Sequence, residues 1–292
     1  MKYLLSHRTS YSYASSVDSA HHIAHLRARE FPDQKVSALS LATSPEPAMA
    51  HQHIDHFGNL IDIYSIDKPH QRFEIEVRAE VDVHFPDPPP SSQTPKWEDV
   101  RAILYGGGFP DPITASEFVY DSPLVPFDPA LRDYGAKSFT PGRPILEAAS
   151  ELKKRIKADF EYHPGATDIS TPLHEVFEGK AGVCQDFAHV MVAALRAHGL
   201  AAGYVSGYLR TVHSKEEVAL RGSDASHAWA ALWCGPQAGW VHLDPTNDLI
   251  ASQDHVAVAW GRDFSDVSPL RGVILGGDSH SYGVDVTLVP TG

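Results

Sequence analysis

Three residues in the second half of the sequence have the types and the order of a thiol nucleophile with its base and an orienting acid. Cys184 follows a glycine-containing segment and begins a run with helical periodicity. His227 begins an apolar, strand-like run, and Asp244 ends the next one. Free N–H groups and the positive end of a helix favour the thiolate form of a cysteine in the first turn, and the same groups can donate to an oxyanion. The pattern therefore predicts nucleophilic attack on a carbonyl carbon.

Each of the three residues also has an ordinary structural explanation when it is taken alone. Cys184 could be a small buried hydrophobe, His227 a hydrogen-bonded structural histidine, and Asp244 a turn former before proline. A connection of hairpin length joins the two strand-like runs, so these runs are expected to pair antiparallel. The start of one and the end of the other then share one end of the sheet. This places His227 near Asp244, as a base and its carboxylate require.

Two helices are expected to precede those strands. After Pro144, apolar residues recur at helical spacing as far as Phe160. A proline suits the first position of a helix. A second helix is predicted over residues 184–198, with Gly199 as its stop. Cys184 would therefore lie at the start of an amphipathic helix.

The strands that follow are expected to form one sheet against these helices. Three runs rich in strand-forming residues occupy residues 201–211, 226–233 and 240–243. Two further runs, at 256–260 and 284–289, are expected to complete the same sheet. Helices followed by strands favour an α+β fold over a doubly wound one.

The N-terminal part is predicted to be a small antiparallel β-sandwich. Strand-like runs occur at residues 36–41 and 60–66. A third run alternates apolar with mostly charged residues, and its apolar members are Phe73, Ile75, Val77, Ala79, Val81, Val83 and Phe85. Such alternation is typical of a half-buried strand.

A proline-rich stretch that begins at Pro86 separates this part from the rest. Proline cannot donate to a strand ladder, so strand character ends there. We expect a β-domain over residues 1–90, a proline- and glycine-rich connection over 91–140, and a catalytic core over 141–292. The connection is expected to wrap the surface, with one short helix at 97–105.

Composition and charge limit the class of protein. The chain has 292 residues and is 42% hydrophobic, which is ordinary for one large or two smaller globular domains. Its 24 basic and 37 acidic residues give a net charge of −13, so no nucleic-acid partner is expected. Two cysteines are too few for a disulfide framework, and no apolar stretch approaches the roughly 20 residues of a membrane span. We expect a cytoplasmic protein that does not bind membranes.

Several motifs together resemble those of the transglutaminase-like, papain-related cysteine enzymes of bacteria. The motifs around the three candidate residues are GVCQDF at 182–187, SHAW at 226–229 and GWVHLDPT at 239–246. They occur in the order and with the spacing of that family. Residues 258–267 resemble the later part of the family's core, and residues 11–13 and 55–59 resemble the β-domain that precedes the core in many bacterial members.

The resemblance implies a papain-like core in which a nucleophile helix packs on an antiparallel sheet. It also assigns roles: Cys184 as the nucleophile, His227 as the general acid and base, and Asp244 as the group that orients the imidazole. The amide of Cys184 becomes a plausible oxyanion donor. The implied substrate is a peptide or protein, attacked at an amide to form a thioester. No metal and no cofactor is implied, and the oligomeric state stays open.

Water or an amine can accept the acyl group from such a thioester. Hydrolysis, as in a cysteine protease or amidase, is favoured because water is always available and no acceptor-lysine site can be identified. Transfer to an amine, as in a transglutaminase, is the first alternative. A non-catalytic binding or scaffold protein with a vestigial triad is the second, although such a site has no chemical reason to keep all three groups.

Other residues near the candidate site have weaker functional interpretations. Asp186 in the first helical turn is explained by its favourable interaction with the helix dipole, and it is also a candidate substrate contact. Trp229 is expected in the core first and in a substrate wall second. Cys234 is expected to be structural. Arg262 and Asp263 would approach the cleft only if the tail of the chain returned to the sheet.

Histidine is abundant, with 18 residues, and His51, His53 and His56 are close enough in sequence to suggest a metal cluster. On a strand His51 and His53 would share one face. The segment is turn-rich, however, and no cysteine joins them, so we expect exposed histidines rather than a metal site. The histidines around His22 are interpreted in the same way.

Overall fold

The computed structural model describes residues 1–106, 115–210 and 226–291. The N-terminal strands are β1 (Lys2–Ala24), β2 (Gln34–Ser44), β3 (Met49–Ile54), β4 (Leu60–Ile66) and β5 (His70–Val83). The middle of the chain forms α1 (Trp97–Gly106), α2 (Pro129–Ala136), α3 (Ile145–Asp159), β6 (Glu161–Tyr162), α4 (Leu173–Gly179), β7 (Ala181–Gly182) and α5 (Cys184–Arg196). The remaining elements are β8 (Ala202–Leu209), β9 (Ser226–Trp233), β10 (Trp240–Asp244), β11 (Leu249–Ile250), β12 (His255–Gly261), α6 (Phe264–Val267), β13 (Leu270–Gly276) and β14 (His280–Pro290).

Strand β1 is shared by two halves of an antiparallel N-terminal sheet and has no counterpart in the sequence prediction. Its first half pairs with β5 and β14, and its second half pairs with β4 and β13. The register shifts between Ser12 and Val17, and an irregularity of this kind bends a strand. The buried face of β1 includes His7 and Thr9, whose polarity hides the alternation from a search for apolar residues.

The predicted alternation in β5 is confirmed up to Val83, where the strand ends. Phe73, Ile75 and Val77 have no exposed surface, and they share an apolar cluster with Tyr64 of β4. Residues from both halves of the sheet therefore bury a common core. The predicted sandwich is one antiparallel sheet, with strand order β2-β5-β1-β4-β3 and with β13 and β14 also paired to β1.

The strand predicted at residues 284–289 was expected in the sheet of the core, and this expectation was wrong. These residues belong to β14, which pairs with β1 from Tyr3 opposite Pro290 to Tyr13 opposite His280. Apolar spacing alone does not say which sheet a strand joins. Leu288 is buried in one cluster with Leu5 of β1, and the last two strands belong to the N-terminal sheet. The run at 256–260 does join the sheet of the core, as part of β12.

The connection over residues 91–140 contains the predicted short helix, α1, but it does not simply wrap the surface. Val100, Val125 and Leu131 are at most 1% exposed and belong to the same apolar cluster as α5. Many prolines exclude regular strands but not burial. The connection therefore forms part of the packed core.

The core sheet has the antiparallel order β11-β10-β9-β8-β12, and α5 packs on one of its faces. Val190 and Leu195 of α5 share an apolar cluster with Ala230 and Leu232 of β9. The α+β class and the packing of the helix that begins at Cys184 on an antiparallel sheet are confirmed. None of the helices in the described ranges is long and apolar enough to cross a lipid bilayer.

Candidate active site

Cys184 is the first residue of α5 and is partly exposed. The short parallel pair of β6 and β7 fixes the chain just before it, with the His163 N–H donating to the Gly182 carbonyl at 2.9 Å. The first N–H groups of a helix have no intrahelical acceptor. The thiol therefore lies beside free donors at the positive end of a helix, as the sequence indicates.

Asp186 fixes the first turn of α5. Its Oδ2 accepts the Val183 N–H at 2.8 Å and the Thr167 hydroxyl at 2.6 Å, which ties the residue before Cys184 to the third position of the helix. Burial raises the pKa of Asp186, and the two hydrogen bonds oppose that rise. Asp186 is only 4% exposed, so its observed contacts are those of a helix cap.

Gly182 makes room for Asp186. A Cβ at position 182 would lie 2.9 Å from the Asp186 Cβ, closer than side chains tolerate. The absence of a side chain at this position therefore lets the capping carboxylate of Asp186 pack against the backbone.

His227 and Asp244 form a fully buried pair at one end of the sheet. The distance from His227 Nε2 to Asp244 Oδ2 is 3.0 Å, and neither side chain has exposed surface. The two strands pair antiparallel with Leu243 opposite Ala230, so the histidine and the aspartate are diagonal neighbours on one face. The structure thus brings together the base and carboxylate that the hairpin argument predicts.

Cys184 is the third member of this group. Its thiol interacts with the imidazole and raises the pKa of His227, although it does not complete an aligned hydrogen bond with Nδ1. Nδ1 is buried and has no other hydrogen-bond partner in the ranges that the structure describes. Because Nε2 is bound to the Asp244 carboxylate, Nδ1 is the ring nitrogen that remains to interact with the Cys184 thiol.

The electrostatics favour a protonated imidazole. Burial lowers the pKa of His227, but the charge of Asp244 and its hydrogen bond outweigh burial and raise it overall. Burial acts in the opposite sense on Asp244, yet His227 and further donors hold the pKa of that carboxyl well below its usual range. An imidazolium beside Cys184 stabilises a thiolate.

Three residues that hydrogen-bond to Asp244 were not assigned this role from the sequence. Its Oδ1 accepts the N–H groups of Thr246 and Asn247 at 2.9 and 3.1 Å. Its Oδ2 accepts the Asn247 side-chain amide at 2.8 Å and His255 Nε2 at 3.4 Å. The Asp-Pro-Thr-Asn sequence is a turn signal that could have revealed the first two. Nothing in the sequence connects His255 with Asp244, because β12 reaches the site only through the fold.

His255 acts as a donor because of its own second hydrogen bond. The Ser252 N–H donates to Nδ1 at 3.3 Å, so a neutral ring carries its proton on Nε2, which faces Asp244. Burial lowers the pKa of His255, and Asp244 opposes that fall. His255 is therefore a positioning residue for the carboxylate.

Replacing His255 with phenylalanine should lower kcat about tenfold and leave KM unchanged, since a hydrogen bond to a charged group is worth about 1.5–3 kcal/mol and this one is long. His255→Gln restores a donor and should recover most of the loss. Steady-state kinetics on the two variants provide the measurement. Equal losses in both, or a change confined to KM, would contradict a role through Asp244.

Trp229 does not form a substrate wall. The side chain has no exposed surface, and its indole N–H donates to His242 Nδ1 at 3.0 Å. A residue enclosed on all sides cannot line an open groove. The first of the two sequence interpretations, a core tryptophan, describes it.

The other candidates have structural partners. Cys234 is buried, its thiol lies 3.7 Å from the Leu232 carbonyl, and burial raises its pKa. Asp263 caps α6 by accepting the Ser265 N–H at 2.8 Å, and Arg262 pairs with Asp266 at 2.9 Å.

The histidines for which a metal cluster was considered and not favoured lie in separate environments. His51 and His53 are exposed on β3, whereas His56 pairs with Glu117 at 2.6 Å. Across the described ranges, no group of three or more His, Cys, Asp or Glu side chains has the geometry of a metal site.

A cavity of about 490 Å³ adjoins the first turn of α5. Its lining includes Gln185 and Asp186, together with apolar side chains such as Leu124, Phe127 and Leu173. A group bound in this cavity would contact Gln185 and Asp186, which directly follow Cys184 at the start of α5.

A helix packs on an antiparallel sheet, and the helix end that carries the thiol lies beside the end of the sheet that carries His227 and Asp244. This is a papain-like arrangement. The structure of a candidate cysteine protease from Cytophaga hutchinsonii shares this fold over the whole chain. It superposes with a TM-score of 0.75 at 20% identity and covers 100% of this chain and 92% of that one.

Sequence comparisons make the assignment more specific. The family model for the bacterial transglutaminase-like N-terminal region matches residues 3–82, and that for the transglutaminase-like superfamily matches residues 133–245. An uncharacterized protein of Mycobacterium tuberculosis is 39% identical over 296 residues, covering 99% of this chain and 93% of that protein. A protein-glutamine gamma-glutamyltransferase of Pseudomonas aeruginosa is 33% identical over 107 residues, or 36% of this chain and 16% of that enzyme. The chain belongs to the transglutaminase-like superfamily, and the family resemblance seen in its motifs is confirmed.

Proposed function

We propose that the protein is a thiol hydrolase that cleaves amide or peptide bonds through a Cys184 thioester. The Cys184 thiolate attacks the carbonyl carbon, and the carbon–nitrogen bond breaks as His227 gives its proton to the departing amine. Water then attacks the thioester and gives a proton to His227. The carbon–sulfur bond breaks, the acid is released, and the thiolate–imidazolium pair is restored.

The observation that carries this proposal is the buried His227–Asp244 pair beside a partly exposed cysteine at a helix start. Removing two ionisable groups from water costs free energy that their mutual attraction does not always recover, so stability alone is a weak explanation for this buried pair. A base with a raised pKa next to a thiol has a catalytic use, since it holds the proton that the leaving amine needs. The free N–H of Cys184 can donate to the oxyanion that forms on the attacked carbonyl.

The cavity next to α5 supports a peptide as acyl donor. Its lining is largely apolar, with Phe127 and Leu173 among the walls, so it suits an uncharged side chain. The net charge of −13 disfavours a strongly acidic substrate.

Transfer of the acyl group to an amine is the second candidate function. It is favoured by the similarity to the Pseudomonas aeruginosa protein, which is named a protein-glutamine gamma-glutamyltransferase. The two reactions share the thioester and differ only in the acceptor. Hydrolysis remains our preference because it requires no acceptor site.

Product analysis in ¹⁸O-labelled water separates the two reactions. A mixed-sequence peptide library is incubated with the protein, with and without cadaverine, and the products are identified by mass spectrometry. Hydrolysis predicts ¹⁸O in the new carboxyl group under both conditions. If cadaverine adducts were the main product, the proposed function would be acyl transfer and not hydrolysis. No product of either kind, with wild type and Cys184→Ala alike, would favour the binding-protein hypothesis.

A further inference from the structure

A second cavity, of about 280 Å³, lies on the face of the core sheet opposite α5. Ala231, Trp240 and His242 contribute to its floor. In β9 and β10 these residues alternate with Leu232 and Val241, which pack in the cluster that contains α5. The cavity is closed by three other parts of the chain, through Arg29 and Phe57 of the N-terminal region, Phe118 of the connection and Trp260 of β12.

This cavity is separate from the candidate active site. Its lining includes none of Cys184, His227 and Asp244. His227 and Ala231 are four residues apart on one strand, or about 13 Å at the rise of a β-strand. The fully buried Trp229 lies between them. A molecule in the cavity would therefore not contact the thiol.

The walls are aromatic. The Phe57 and Phe118 rings have centroids 5.7 Å apart, and those of Phe118 and Trp240 are 5.3 Å apart. Aromatic side chains present large apolar areas and preferred ring-to-ring geometries to a flat ligand. The volume lies near the lower limit of about 300–1,000 Å³ for small-molecule sites, so the ligand must be compact.

Arg29 supplies a positive charge that has no ion-pair partner among the described residues. Its guanidinium carbon lies 3.8 Å from the centre of the Trp260 ring, and Nη1 donates to Asn59 Oδ1 at 2.7 Å. In the parts of the chain that the structure describes, no carboxylate lies within ion-pair distance of Arg29. Burial lowers the pKa of Arg29 to about 10, and the charge of Asp55 opposes that fall. A partly buried charge without an ionic partner favours binding of an anion.

His242 offers a second donor. Its Nδ1 accepts the Trp229 indole N–H, and indole nitrogen can only donate, so this ring nitrogen carries no proton. Burial lowers the pKa of His242 to about 3, which keeps the ring neutral. The proton is therefore on Nε2, for which the described residues provide no acceptor.

The acidic side chain in the lining is already paired. Glu117 lies 2.6 Å from His56, and both side chains are well exposed, at 42% and 70%. The exposure of both side chains places this pair at the open side of the cavity. The enclosed part is thus aromatic and rich in donors.

We propose that this cavity binds a small aromatic carboxylate. Its ring lies among Phe57, Phe118 and Trp240, and its carboxylate pairs with Arg29 and accepts the His242 Nε2–H. This binding site is separate from the candidate active site and from the reaction proposed there. It gives the N-terminal region a role, because that region supplies the arginine and closes the cavity.

The test is a titration of the full-length protein with phenylacetate, phenylacetamide and phenethylamine. Binding is measured by isothermal calorimetry and by the fluorescence of Trp240 and Trp260, which line the cavity. We expect phenylacetate to bind at least about tenfold more tightly than the amide, since only the carboxylate forms charge-assisted hydrogen bonds with Arg29. Arg29→Gln should remove that preference, and Glu117→Gln should strengthen it. Arg132→Gln, an exposed arginine on α2, is the matched control and should change nothing.

A second variant guards against misfolding, because Arg29 also holds Asn59. Ala231→Leu fills the cavity without removing a polar contact and should abolish binding of both phenylacetate and phenylacetamide. Cys184→Ala should bind phenylacetate as the wild type does, which separates this site from the catalytic one. The proposal is overturned if none of the probes binds saturably, if phenethylamine binds as tightly as phenylacetate, or if Arg29→Gln and Ala231→Leu bind normally.

Discussion

Cys184→Ala is expected to abolish amide-bond turnover. Without the thiol no thioester can form, and the neighbouring His227 and Asp244 lack any nucleophile to activate. Release of peptide fragments, measured by mass spectrometry with equal amounts of each protein, should fall to the uncatalysed rate. Intact-mass spectra of the wild type during turnover should show an acyl adduct that the variant lacks.

Cys234→Ala is the matched control for this variant. That cysteine is buried in the same core, with its thiol near the Leu232 carbonyl, and it is distant from the site in the fold. Turnover should be unchanged even if some stability is lost. Activity that survives in Cys184→Ala and disappears in Cys234→Ala would mean that the nucleophile has been misassigned.

Asp244→Asn is expected to lower kcat by about 10⁴-fold while the fold is retained. Within the described parts of the chain, every hydrogen-bond partner of Asp244 is a donor, namely Thr246, both groups of Asn247, His227 and His255. Whichever way an asparagine is oriented, its NH₂ group faces donors. The imidazole then loses the acceptor that holds Nε2–H and supports its positive charge.

The measurement is kcat with the peptide substrate found for the wild type, together with far-UV circular dichroism and the melting temperature. Asp133→Asn changes an exposed carboxylate of the same kind on α2 and should leave kcat alone. A folded Asp244→Asn protein with nearly normal kcat would show that the buried pair serves structure rather than catalysis.

The three central residues of the site could be found from the sequence because each begins or ends a regular element. Cys184 begins an amphipathic helix, and His227 and Asp244 occupy the ends of two strands joined by a short connection. Local periodicity and hairpin geometry together place them close to one another. The buried state of the His227–Asp244 pair could not be predicted, because it depends on side chains from other elements.

His255 and the second cavity show what a local pattern cannot predict. His255 reaches Asp244 only because β12 returns to the far edge of the sheet beside β8. The cavity combines Arg29, Phe118 and Trp260, which are separated by most of the chain. No spacing rule connects residues that distant.

Prediction of the fold from local sequence patterns was limited in the same way. The alternation in β5 was visible because its buried residues are apolar. In β1 the buried positions include His7, which interacts with Thr9 at 2.8 Å and with the Tyr208 hydroxyl at 2.9 Å. Polar residues that are satisfied inside the protein look exposed in a sequence. Strand β14 was recognised as a strand but assigned to the wrong sheet, because partner choice is set by tertiary packing.

The most direct test of the proposed mechanism is the pH dependence of alkylation at Cys184 by iodoacetamide. It is measured by peptide mass spectrometry for the wild type and for His227→Ala. The raised pKa of His227 means that the imidazolium keeps its proton through neutral pH and stabilises the thiolate beside it. Cys184 of the wild type should therefore be labelled rapidly well below pH 8. Labelling of His227→Ala should be slow and should rise only near the ordinary thiol pKa of about 8.5. Equal, slow labelling of both proteins would contradict a His227-activated nucleophile.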